Sequence, residues 1–324
     1  PGQVHALSAG EGTEISKNNP MELLSTIAGV PVEINNGMRV DDIFTVNDVS
    51  VKTGHIDFEG SVIVSKNVEP GMRINATGDI TVFGTVESGE LTAGGDILVK
   101  QGVIGHQKPE DKSLSCRIIC AGDVHASHSQ YCYIEANSIL LDRQASHSSM
   151  KAKNIIQIGQ SELPKGKLFG GEILDATKLI AGEIGNESGA KMAINLAASA
   201  TQMTKDIDRY FSELTAANEQ VDSLQAALEK ADLIKDADKK SELMNKIGST
   251  QIHHSQQAEQ LEKQIASLEQ KLNTMLDEAI LTVNTVLHSG VEIHIFNKLL
   301  KTTRNFPPSN VKLENNKIEI EFKT

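Results

Sequence analysis

Between residues 55 and 185 apolar and polar positions alternate in short bursts, and the bursts recur along the chain. They read INATGDITV at 74–82, LTAGGDILV at 91–99 and IICAGDVHA at 118–126, with weaker copies IEANSILL at 134–141, MKAKNIIQI at 150–158 and LDATKLIA at 174–181. An earlier copy, IDFEGSVIV, starts at Ile56. Equivalent small positions fall at Ala76, Ala93, Cys120, Ala136, Ala152 and Ala176, with Phe58 opening the series, in steps of 18, 17, 27, 16, 16 and 24 residues. The two long steps each carry an extra polar loop, at 106–115 and at about 160–170. A repeat this short is below the length of a helical pair or a propeller blade, so it predicts a coiled strand solenoid.

Counted from each small residue, apolar side chains recur at −2, +4 and +6: Ile74, Ile80 and Val82 around Ala76, then Leu91, Ile97 and Val99 around Ala93. Period-two alternation places them on one face of short strands. The alternation breaks at Gly78-Asp79, which predicts a corner. There Gly supplies positive φ and Asp bonds its own local backbone. Stacked coils would bring like residues into columns, with parallel pairing along the axis.

The pattern then changes period. Over 186–281 a 4-3 spacing runs through Leu196, Ala200, Met203, Ile207, Tyr210, Leu214, Ala217, Val221, Leu224, Leu228 and Ala231, and again from Ala258 through Leu261, Ile265, Leu268, Leu272 and Met275 to Ala279. Heptad seams of this length predict long coiled-coil helices. The weak stretch at Lys235-Asp236-Ala237-Asp238 suggests an antiparallel hairpin, whose arms of about 40 residues would each extend on the order of 60 Å. Gln251 and His254, beside His253, sit on the second seam, where polar residues set register. From 282 the strand pattern returns. VLHSGVEIHI at 286–295 parallels VEPGMRINA at 68–76, and VKLENNKIEIEF at 311–322 reads as a hairpin turned at Asn315-Asn316. Residues 1–54, rich in Gly, Asn and Ser, read as loops and short strands such as VPVEI at 30–34 and FTVNDVSV at 44–51, leading into the solenoid or forming its first rung.

The expected fold class is therefore mainly β with an α insertion: a single-stranded parallel β-helix of about 16–18 residues per coil, interrupted by a long antiparallel coiled-coil hairpin. Its four segments are 1–54, 55–185, 186–281 and 282–324. Composition agrees with this picture. With no Trp, three Tyr and eight Phe, the chain suits a narrow interior and lacks the aromatic platforms that hold single-stranded nucleic acid. A net charge of −12 also disfavours phosphate backbones and anionic lipid as partners. Cys116, Cys120 and Cys132 lack framework spacing, which predicts a reducing compartment and no structural disulfide. No stretch approaches the length of a membrane span. The chain opens at Pro1 without Met, as a fragment would, so a missing signal peptide carries no weight.

Rungs, a helical insertion and a returning rung together resemble the flagellar assembly protein A (FapA) family. The likeness is carried by VKTGHIDFEGSVIV at 51–64, by NVEPGMRINATGDITVFGTVESGELTAGGDILVKQGVIG at 67–105, and by the return around VLHSGVEIHI. The family's solenoid is similar to those of bactofilins and of the C-terminal domain of the division inhibitor MinC, which implies a right-handed, three-sided β-helix. The chain departs from the family's Gly-Asp corners after residue 130, at Asn137-Ser138, Lys153-Asn154 and Thr177-Lys178. The resemblance implies a cytoplasmic, non-enzymatic scaffold that supports flagellar assembly or polar placement through protein partners. In vibrio-like bacteria such proteins are linked to the glucose-specific IIA component of the phosphotransferase system, a partner implied at the family level alone.

Candidate chemistry is sparse. His125, His128 and His147 lie near the three cysteines, but no pair shows closed zinc-site spacing, and no metal site is expected. Rungs of sixteen residues would put His128 over Gln144 and His125 over Leu141, with Cys120 in the inward small column. Asp79, Asp96 and Asp123 form a column that would serve calcium or acid-base chemistry only with a paired cation, acid or base, so turn chemistry is expected. His106, at the mouth of the inserted loop, is the one candidate for an acyltransferase base. Neither Gly94-Gly95 nor Gly170-Gly171 opens a phosphate-binding helix, and no cofactor is expected. The alternative to a scaffold is a β-helix enzyme acting on polysaccharide or acyl groups. A cleft joining the Asp corner, a cation and His106 would favour it. Across 186–290 sixteen acidic residues face ten basic ones, as on a solvated coiled-coil surface; a partner-docking arm is the sharper reading. Exposed solenoid ends favour self-association unless capped. No residue is singled out as partner-binding.

Overall fold

The computed structural model describes residues 7–27, 29–160, 165–234 and 237–323. Part of the polar loop expected at 160–170, and Lys235-Asp236 in the expected hairpin turn, lie outside the described residues. The chain divides into two compact units, one of residues 1–196 and 279–324, the other of residues 197–278.

The first unit is built from short strands that pair in parallel, rung on rung. One interior column runs in unbroken register from Val62 through Ile80, Ile97, Val124, Ile139, Ile156 and Leu179 to Leu281. A second runs Ile56, Ile74, Leu91, Ile118, Ile134, Met150, Ile173, Ile194, Ile293. Nearly all of these side chains are fully buried. Each branched aliphatic withdrawn from water contributes roughly 1.5–3 kcal/mol, and β-branching suits the pleat. The small column behaves as the spacing predicts: Phe58, Ala76, Ala93 and Cys120 are in register, as are Ala136 and Ala152.

Two boundaries differ from the expected ones. The strand Ile43–Val46 already pairs with Ser61–Val64, so the rungs begin near residue 43 rather than 55. Val30–Ile34, before it, forms a small sheet with Gly37–Asp41 and Ser8–Ala9. At the other side, Met192–Leu196 is a strand paired with Val291–Ile295, so residues 186–196 belong with the rungs. Leu196 is buried there and is not a seam residue; a single apolar residue carries no period of its own.

By register, Ile194 is the equivalent of Ile74 and Leu281 of Ile80. The helical segment thus enters at the corner that Thr77-Gly78-Asp79 fills in an earlier rung. Ile280–Leu287 then resumes parallel pairing with Lys178–Ile184. The end of the stack is covered by antiparallel strands: Lys298–Lys301 pairs with Val291–Ile295, and Ser309–Glu314 pairs with Ile280–Leu287. The hairpin from Ser309–Glu314 to Lys317–Phe322 turns at Asn315 and Asn316, at φ 48° and 64°, as two-residue hairpin turns require.

The second unit contains two helices, α1 (Ala200–Asp232) and α2 (Ala237–Glu278). Their apolar periodicity is buried where the helices meet: Ile207, Ala217 and Ala231 on α1, Ala258, Leu261 and Ile265 on α2. Ser199, just before α1, hydrogen-bonds the Met275 sulfur near the end of α2, whereas Gln251 of α2 donates to Gln225 at 2.9 Å. Gln251 thus bonds across to α1. His254 instead lies against its neighbour His253, ring centroids 5.6 Å apart.

Candidate functional site

The aspartate column is a hydrogen-bonded ladder. The Asp79 N–H donates to Ser61 Oγ at 3.0 Å, Asp96 N–H to Asp79 Oδ1 at 2.8 Å and Asp123 N–H to Asp96 Oδ1 at 2.8 Å. Amides continue it: Asn137 Nδ2 donates to Asp123 Oδ1 at 3.0 Å, and Asn154 Nδ2 to Asn137 Oδ1 at 2.9 Å. Asp79 and Asp96 therefore serve the backbone of the next rung, and Asp123 its Asn137 side chain, rather than their own turns as the sequence suggests. The glycine beside it has a different reason as well. Gly78, Gly95 and Gly122 are not among the positive-φ glycines. A Cβ on Gly95 would stand 2.0 Å from Asp79 Oδ1, and one on Gly122 equally close to Asp96 Oδ1. At Gly95 and Gly122 the previous carboxylate occupies the space a side chain would take.

The other candidates do not converge. His106 Nδ1 lies 3.2 Å from Ser88 Oγ and 3.1 Å from Ser115 Oγ, closing the base of the inserted loop. His125 bonds Asp142 at 2.7 Å; its strand partner is Leu140 rather than Leu141, because the register shifts between Ala126 and His128. His128 does pair with Gln144. Its ring lies against Gly102, and burial, together with the Arg143 guanidinium, lowers its pKa. Cys116 and Cys132 stack in the interior. Burial and the Cys116 thiol hold Cys132 well above the ordinary thiol range. Burial, then Asp96 and Asp123, push Cys120 up to about 12. Such thiols stay protonated and make poor nucleophiles or ligands. Among the described residues no group of three His, Cys, Asp or Glu could hold a metal ion.

Sequence reasoning passed over two features. Glu183 binds His288 at 2.9 Å and Lys167 at 2.8 Å, tying the returning rung to one 105 residues earlier in the chain. The Lys167 ammonium, and then His288, hold the Glu183 carboxyl below its usual range. The second feature is a groove of about 670 Å³ on the outside of the rungs. Tyr131 and His147 form one wall, their rings stacked at 4.9 Å and 10°, with Phe169 edge-on to His147 at 6.1 Å. Both corner residues adopt left-handed backbone, φ 49° and 51°, where earlier rungs use Gly54, Gly71 and Ser88. The inserted loop contributes Lys112, and the rungs contribute Glu172, Lys191 and Glu292. Gly170 is needed beside it, since a Cβ there would stand 2.6 Å from His147 Nδ1. Two cues for this groove were in the sequence, the long step holding loop 106–115 and the Gly170-Gly171 pair. A smaller groove of about 390 Å³ lies over Arg143, Lys165 and Lys167. Neither groove is lined by Asp79, Asp96, Asp123 or His106.

Among the described residues no helix is long and apolar enough to cross a membrane. Comparison with curated proteins and with solved structures gives no match. The family model for the Flagellar Assembly Protein A beta solenoid domain matches residues 42–318, a span that opens where the rungs begin and includes the helical insertion. The chain therefore belongs to the Flagellar Assembly Protein A family.

Proposed function

We propose that the protein is a non-enzymatic scaffold that supports flagellar assembly by holding protein partners on a rigid stack of rungs. In this reading the strand unit is a right-handed parallel β-helix and the helical unit an antiparallel coiled-coil hairpin, together acting in the cytoplasm at the cell pole. The glucose-specific IIA component is the first partner to examine. One observation carries the scaffold reading: the carboxylates an enzyme would use are bonded to the next rung, Asp79 and Asp96 to its backbone and Asp123 to the Asn137 amide. His106, the candidate base, is likewise held by two serine hydroxyls. An acid or base must be free to exchange a proton with substrate, and these groups serve the corners instead. Family membership supplies the flagellar context.

The test replaces Asp96→Asn and His106→Ala together in the full protein, in a strain that depends on it for flagella. Flagella counted by electron microscopy should stay near the normal number, and IIA should still be recovered with the variant. Loss of flagella from a variant that melts normally would favour the enzyme.

A further inference from the structure

The groove beside loop 106–115 has a charge character opposite to that of the molecule. The chain carries a net −12. Yet three lysines, Lys112, Lys191 and Lys301, line the groove against two carboxylates, Glu172, which accepts from Ser149 at 3.0 Å, and Glu292, which pairs with Lys301 at 2.8 Å. Lys112 and Lys191, far apart in sequence, line the same groove, and among the described residues neither ammonium makes a hydrogen bond or ion pair. The Tyr131 hydroxyl and the His147 ring nitrogens likewise have no hydrogen-bond partner there. The groups left open are donors and cations.

The wall is also held at an energetic cost. Left-handed backbone is unfavourable for bulky side chains, and such strain clusters at binding sites. Gly54 and Gly71 show that the corner itself needs no aromatic ring. The groove crosses five rungs, since Tyr133, Ser149, Glu172, Ala193 and Glu292 are successive register partners. Four rung spacings make about 19 Å, the reach of about six extended residues. That length exceeds any single small anion.

We propose that this groove binds an extended acidic segment of a partner protein, its carboxylates meeting Lys112 and Lys191 and its backbone carbonyls meeting Tyr131 and His147. The proposal rests on the scaffold reading and names the partner chemistry and the surface. The probe is a fluorescein-labelled hexapeptide of alternating Glu and Ser, titrated against the full protein by fluorescence anisotropy. Binding should weaken about tenfold or more in Lys112→Glu/Lys191→Glu and by a few-fold in Tyr131→Phe. It should not change in Lys52→Glu/Lys100→Glu, whose lysines lie outside the groove, and melting curves check that each variant folds. A Lys-Ser hexapeptide should not bind, and citrate should not displace the probe at matched carboxylate concentration. No binding, equal binding of the Lys-Ser peptide, displacement by citrate, or indifference to the Lys112/Lys191 reversal would each overturn the groove proposal. Partner recovery and flagella that survive the same reversal would leave the scaffold standing without the groove, whereas loss of flagella in the Asp96→Asn/His106→Ala strain bears on the scaffold alone.

Discussion

At the scale of single residues, a carboxylate one rung away explains both members of the Gly-Asp pair. Asp79 Oδ1 accepts the Asp96 N–H at 2.8 Å and lies where a Gly95 side chain would be. What matters at the aspartate is an acceptor at the right height; its charge stacks beside like charges and adds nothing to the bond geometry. Asp96→Asn, which keeps the carbonyl oxygen, should therefore stay within about 0.5 kcal/mol of the parent, whereas Asp96→Ala should lose about 1 kcal/mol by stranding the Asp123 N–H. Urea titrations followed by circular dichroism distinguish the two, and equal losses would mean the ladder is incidental. In the later rungs Asn137, in register with Gly122, and Asn154 above it continue the ladder through their side-chain amides. Their departure from Gly-Asp, which the sequence alone presents as irregularity, keeps a side-chain hydrogen bond between rungs while moving it to the glycine position.

Among the elements, the ends of the stack carry the risk, because a rung with no neighbour presents unpaired backbone groups. At the C-terminal end two antiparallel strands cover it, placing Val311 opposite Leu281 and Leu300 opposite Ile293. Val311 and Leu281 are fully buried. Ending the chain at residue 304 would uncover the strand Ile280–Leu287 and one end of the first interior column. The truncated protein should melt several degrees lower and associate with itself in sedimentation experiments, while a parent protein treated alike keeps its original mass. An unchanged sedimentation profile would show that the terminal hairpin is not a cap. The hairpin was legible in the sequence from its alternation around Asn315-Asn316, but its partner was not. Pairing with a strand that begins some thirty residues earlier depends on where the returning rung lies.

For the whole molecule, the helical segment of residues 197–278 interrupts a stack whose register does not notice it, since Leu179 pairs with Leu281 as Ile156 pairs with Leu179. Replacing residues 197–280 by Thr-Gly-Asp, the sequence at 77–79, should give a protein with strand-type circular dichroism and a single cooperative melt. An aggregated or unfolded product would mean that the helices are needed for the last rungs to form. The sequence by itself determined the columns, the period and the kind of insertion. Those follow from side-chain alternation and heptad spacing, which are local and survive without knowing any partner. It also singled out Asp79, Asp96 and Asp123 as a column. Tertiary structure decided where the first and last rungs lie, which atom each carboxylate reaches, and that Lys112, Tyr131, His147 and Lys191 line one groove. These depend on one- and two-residue shifts at corners, such as the slip that moves His125 onto Leu140, and on loops whose course no periodicity records. A period fixes what lies above what only while the register holds, and chemistry between rungs is set where the register shifts.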